Sequence, residues 1–173
     1  MNVEYSPETI EKEDLQKFSQ IAWEVLRYTQ YGRGFSKHVI CIALCQGGAN
    51  HYAVTHGDAS RYLDPEKAGL KDIDIWFFFN KPGFHPLWRR TCDLGSSKFG
   101  KNPEDSGYIG RRMDFFGRSI AFQLGDDLRS ALLRWLQNGK PKSSPWYIAQ
   151  KAVVALYPEK IMGDVLWVSP KIK

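Results

Sequence analysis

The chain has 173 residues, 43% of them apolar and 14% aromatic, which supplies one sizeable core and excludes a disordered chain. Its net charge of +5 is modest, and three cysteines, Cys41, Cys45 and Cys92, are an odd number without CxxC spacing, which argues against a disulfide scaffold or a zinc knuckle. No apolar run approaches the ~18 residues of a membrane helix, and no basic stretch followed by an apolar one opens the chain, so the expectation is a single-domain, cytoplasmic protein without a membrane partner.

Ser6-Pro7 reads as a cap followed by proline at the first helical position, and Ile10, Phe18, Ile21, Ala22, Val25 and Leu26 recur at helical spacing. This predicts an amphipathic helix over 7–30, stopped by Gly32 and Gly34. The run from His38 to Cys45 is short, apolar and rich in β-branched residues, and predicts a first strand. It leads into Gly47-Gly48 and a helix of two to three turns ending near His56. A strand, a glycine turn and a helix N-terminus in succession expose unsatisfied backbone N–H groups to an anion.

Residues 58–70 are polar and predict a loop. The second strand should run from Lys71-Asp72 to Phe79. Residues 81–110 show no sustained period, and 81–112 hold seven basic residues against three acidic ones, a local excess of +4 that can mark a phosphate-bearing partner or simply a solvated loop. Trp88, Phe99 and Tyr108 in this stretch are candidate base-stacking residues. The segment from Arg111 to Ile120 predicts a third strand. Asp126 or Asp127 caps a helix with Leu128, Leu132, Trp135 and Leu136 on one stripe. A further helix is expected from Ser144-Pro145 through Ile148, Ala152, Val153 and Leu156 to Pro158, and a last strand near 164–169.

The chemically informative stretch is Asp72-Ile73-Asp74-Ile75-Trp76-Phe77-Phe78-Phe79. Alternate residues of a strand share a face roughly 6.6 Å apart, so Asp72 and Asp74 can hold a cation between them. Asp is disfavoured in strands, and a buried unpaired carboxylate costs several kcal/mol, so two of them opening an apolar strand ask for a positive partner. Asp114 likewise interrupts an apolar run and is the natural third acid, with Asp93 the competing choice. Three carboxylates of this kind suit magnesium, with two ions expected, and two such ions clamp the attacking and leaving oxygens of a phosphoryl displacement. No GxxxxGK[ST], GxGxxG or nucleophile elbow is present, and the four histidines lack metal-ligand spacing.

The ordered set Gly47, Gly48, His56, Gly57, Arg61, Lys71, Asp72, Asp74 and Asp114 resembles the polymerase-beta-like nucleotidyltransferase superfamily, in particular its minimal bacterial members, over about 38–120. The resemblance implies an α+β fold with a small mixed sheet that carries the acid cluster and is flanked by helices. It implies magnesium-dependent transfer of a nucleoside monophosphate from a nucleoside triphosphate, ATP included, to an acceptor hydroxyl on a small molecule, RNA or protein. Asp72, Asp74 and Asp114 would be the metal-binding catalytic acids, and Gly47, Gly48 and Lys71 the nucleotide contacts. Arg61, Arg111 and Arg112 are candidate contacts to phosphate or acceptor. The 58–70 and 81–110 stretches are longer than the family commonly has. A non-catalytic nucleotide- or nucleic-acid-binding protein of the same fold and an interaction protein whose helical ends dock on a partner are the alternatives.

Overall fold

The computed structural model describes residues 9–28, 32–56, 73–81, 90–93 and 112–170. It is an α+β fold built on a six-stranded mixed sheet of order β3-β4-β2-β1-β5-β6. The strands are β1 (Val39–Cys45), β2 (Ile73–Phe79), β3 (Arg90–Asp93), β4 (Arg112–Ser119), β5 (Ala152–Tyr157) and β6 (Val165–Val168), and the helices are α1 (Lys12–Tyr28), α2 (Gly32–Phe35), α3 (Gln46–His56), α4 (Leu128–Gln137) and α5 (Ser144–Ala149). All neighbouring strands are antiparallel except β2 and β4, which run parallel.

Both faces of the sheet are covered, which is why β1, β2 and β5 read as nearly unbroken apolar runs. One face packs Leu44, Ile75, Phe77, Phe115 and Val154 against Leu15, Phe18, Ala22 and Leu26 of α1 and Ala49 and Tyr52 of α3. The other face packs Ala43, Trp76, Phe78 and Val153 against Leu132 and Leu136 of α4 and Ile148 of α5. Cys41 and Cys45 are buried and free on this second face, as small apolar residues. Among the described residues no helix is long and apolar enough to cross a membrane.

Several expectations need correction. Residues 9–11 are not helical and α1 begins at Lys12; Glu11 takes the cap position, its backbone N–H donating to Asp14 Oδ2 at 2.7 Å. Gly32 and Gly34 sit inside the short helical turn α2, and the stretch between it and α1, 29–31, lies outside the described residues. Within the stretch read as structureless, Arg90–Asp93 forms the edge strand β3. The helix expected to reach Pro158 ends at Ala149, and 152–157 is strand β5 instead. Ala-Val-Val-Ala-Leu-Tyr satisfies either period, but Ala152 to Leu156 are all buried, with β1 and β6 on the two sides and both core clusters above and below, and only a strand presents alternate residues to two layers.

The structure selects Asp127 as the α4 cap, its Oδ1 accepting from the Ser130 backbone N–H at 2.7 Å. Asp126 serves the preceding turn and α4 together, accepting from the Gln123 backbone N–H and from Arg134. Hydrogen bonds from Ser130 hold the Asp127 carboxyl below its ordinary value of 3.8. A depressed folded-state pKa means that the cap's contribution is present above about pH 4 and lost as pH falls through the folded value. Wild type should therefore melt higher than Asp127→Ala at pH 6, with the gap closing toward pH 2, as read by thermal unfolding. Phe77 is fully buried in the centre of β2, and Phe77→Ala should cost about 3–5 kcal/mol in urea unfolding.

Candidate active site

β1 ends at Cys45, and because β1 and β2 are antiparallel, that end lies beside the start of β2. Cys45 pairs with Asp74, the second residue of β2. β4 runs parallel to β2 and places Asp114 opposite Asp74, and β3 adds Thr91 opposite Asp114. One cross-strand row thus reads Cys45, Asp74, Asp114, Thr91. Alternation puts Asp74 on the face of Trp76 and Phe78, and Asp114 on the face of Phe116, so both acids belong to the α4/α5 side.

Asp74 is half-buried and Asp114 is 5% exposed. Neighbouring strands lie ~4.8 Å apart. Two full charges about 5 Å apart would repel by roughly 3 kcal/mol at an effective dielectric near 20, so carboxylates placed this way call for compensating partners. Each acid also takes part in further interactions within the fold. The influence of Asp74 extends to its neighbour: burial first, then Cys41 and Asp74, push the Cys45 thiol well above its usual range and keep it protonated. Burial likewise pushes Cys41 up to about 12.

Behind the acids the same face is aromatic. Trp76 stacks on Phe116 with ring centroids 4.8 Å apart and 17° between planes, and the Arg118 guanidinium lies 6.0 Å from the Trp76 ring. Burial lowers the Arg118 pKa, and this guanidinium donates to Ser144 Oγ at 3.0 Å. Trp76 and Phe116 each stand two residues beyond an acid, so their stacking locks the β2–β4 register that aligns the carboxylates.

The strand-to-helix junction completes this end of the sheet. Gln46 has φ 58, a conformation few side-chain-bearing residues adopt, and α3 starts there, with Gly47 and Gly48 inside its first turn rather than ahead of it. The two glycines differ. A Cβ at Gly48 would lie 3.0 Å from Leu44 Cδ1 and 3.7 Å from Ile73 Cδ1, so Gly48 lets α3 approach β1 and β2. A Cβ at Gly47 would meet only Lys151 Nζ, at 3.9 Å. Lys151, between α5 and β5, is exposed and forms no ion pair with a described residue. Sequence reading missed it, because residues 47 and 151 meet only through the β1–β5 pairing of Cys45 with Val153.

Asp72, Lys71, Arg61 and Arg111 lie outside the described residues, as do Trp88, Phe99 and Tyr108. Arg112 opens β4 opposite Asp93 of β3. Among the described residues no group of three His, Cys, Asp or Glu side chains is arranged to hold a metal ion; Asp74 and Asp114 supply two donors. His56 has a packing role: its Nε2 is 2.8 Å from the Ile10 carbonyl oxygen and its ring stacks on Tyr52. A cavity of about 610 Å³ occupies the same side of the sheet but toward the far ends of β2 and β4, between Ala121, Gln123, Trp135 and the α4–α5 connection. No protein-family model, curated protein or solved structure matches the chain.

The contrast between the glycines is measurable. Gly48→Val should lower stability by about 1–3 kcal/mol through overpacking against Leu44 and Ile73, whereas Gly47→Ala should leave the melting temperature unchanged or slightly raised.

Proposed function

We propose that the chain is a magnesium-dependent nucleotidyltransferase that moves a nucleoside monophosphate from a nucleoside triphosphate to an acceptor hydroxyl. The observation that carries this reading is the meeting of Asp74, Asp114 and the Gly47 junction at one end of the sheet. Carboxylate oxygens on neighbouring strands are the hard donors magnesium prefers, so the donor chemistry fits, with Asp74 and Asp114 as two ligands and Asp72 as the third in the proposed set. When bound, magnesium supplies charge neutralisation at the phosphates and at the attacking and leaving oxygens.

The chain's own residues would do the rest. First-turn N–H groups of α3 and the Lys151 ammonium would hold the β- and γ-phosphates, since both carry positive charge and Gly47 leaves the approach open. Asp74 would help hold magnesium at the sheet end, beside which the α-phosphate would lie. Asp114, the more buried acid, would lie toward the acceptor and take up or direct its hydroxyl proton. The acceptor oxygen forms a bond to the α-phosphorus while the bond from that phosphorus to the bridging oxygen of pyrophosphate breaks. Pyrophosphate then leaves with the electron pair. Lys71, Arg61, Arg111 and Arg112 remain candidate phosphate or acceptor contacts. A nucleoside triphosphate substrate accords with a cytoplasmic location.

The test is to incubate the protein with magnesium and each α-labelled nucleoside triphosphate, offering RNA, protein and small-molecule acceptors, and to follow the label. Asp74→Asn and Asp114→Asn should each cut transfer by at least about 100-fold, with an unchanged far-ultraviolet circular dichroism spectrum. Undiminished transfer by either folded variant would overturn the assignment.

A further inference from the structure

The connection from α4 through α5 to β5 combines positive charge with exposed aromatic surface. Between Asn138 and Lys151 there are three lysines, Lys140, Lys142 and Lys151, and no acid. All three are exposed, and none pairs with an acid among the described residues. Asp126, on the turn before α4, is held by Arg134. Tyr147 is 50% exposed, one of two large apolar side chains so exposed among the described residues, and its ring meets Trp146 edge to face at 5.0 Å.

This surface is held in shape rather than draped. The Ser143 backbone N–H donates to the Lys140 carbonyl oxygen at 3.0 Å, and Lys142 is fixed at φ 67. A Cβ at Gly139 would lie 2.7 Å from the Trp146 backbone nitrogen, so the loop is folded directly onto α5. Lysines on a pre-shaped loop lose less freedom on meeting phosphates than lysines on a free tail. At one end the lysine series reaches the cavity, which Lys140 and Trp135 help to line, and at the other it reaches Gly47 through Lys151.

Unpaired lysines spaced along a surface with an exposed aromatic ring are the chemistry that binds a single-stranded polynucleotide, whose phosphates meet the cations and whose bases stack. We infer that the loop–α5 surface, with Lys140, Lys142 and Tyr147 at its centre, binds a single-stranded polynucleotide and leads its end toward Lys151 and the acids. This names the acceptor class and rests on the nucleotidyl-transfer reading for its functional meaning, but the binding itself does not depend on that reading.

Fluorescence anisotropy of the full chain with labelled single-stranded RNA and DNA 12-mers, in EDTA and over a salt series, tests it. At least one strand should bind, with affinity falling steeply as salt rises. Lys140→Gln/Lys142→Gln should weaken binding and flatten the log–log salt slope by roughly 1.4, at about 0.7 per phosphate contact. Tyr147→Ala should weaken binding roughly 5- to 100-fold. Wild-type chain that binds the strand yet transfers no label to it in the transfer assay would remove the enzymatic reading and keep this surface. No binding by either strand at low salt, an unchanged affinity and slope in the double lysine variant, or a duplex bound as tightly as the single strand would overturn the inference.

Discussion

The pairing of β2 with two unlike neighbours is the constraint from which the rest of the molecule follows. Antiparallel to β1 and parallel to β4, β2 brings the end of one strand and the beginnings of two others to a single edge of the sheet. Only that combination aligns Cys45, Asp74 and Asp114 in one row while placing the Gln46–Gly48 junction beside it. The row is held by apolar packing on both sides of the sheet. Ile73, Ile75, Phe77 and Phe79 face α1 and α3, while Trp76 and Phe78 face α4. A register slip of one residue would exchange these sets and move the carboxylates to the other face, which makes the charge placement a by-product of hydrophobic patterning.

The electrostatics of this edge oppose one another in a productive way. Two carboxylates on adjacent strands raise the local negative potential, whereas the first turn of α3 and the Lys151 ammonium raise the positive potential a short distance away. The proposed substrate, a polyphosphate carrying a divalent ion, would have the complementary pattern, with positive charge for the acids and negative oxygens for the helix end. Gly48 contributes by packing alone, holding α3 tightly enough for its N-terminus to stand at the edge. Gly47 contributes by the absence of a side chain.

Much of this was legible in the chain itself. Carboxylates interrupting apolar runs stand out at Asp74 and Asp114 because Asp is costly in such strands, and α4 was legible through its cap and stripe. β5 was misread because Ala152, Val153 and Leu156 satisfy a helical period as well as an alternating one, and only the sheet's need for a partner on β1's free side decides between them. β3 escaped because four residues containing Arg, Thr and Asp carry no apolar period of their own and are stabilised by the register of β4. Lys151 could not be seen beside Gly47, since nothing local in either segment refers to the other. The meeting of Asp74 with Asp114 is likewise a property of pairing rather than of spacing.

The parallel neighbour of β2 has a kinetic meaning as well. Cys45 and Asp74 come together only when the 27 residues between β1 and β2 are closed into a loop, and Asp74 and Asp114 only when the 32 between β2 and β4 are, so the row depends on long-range closure on both sides. Each neighbour in the row is therefore a non-local pairing, the kind that folds slowly, whereas β5 and β6, joined across 158–164, are the pair that takes least chain to close.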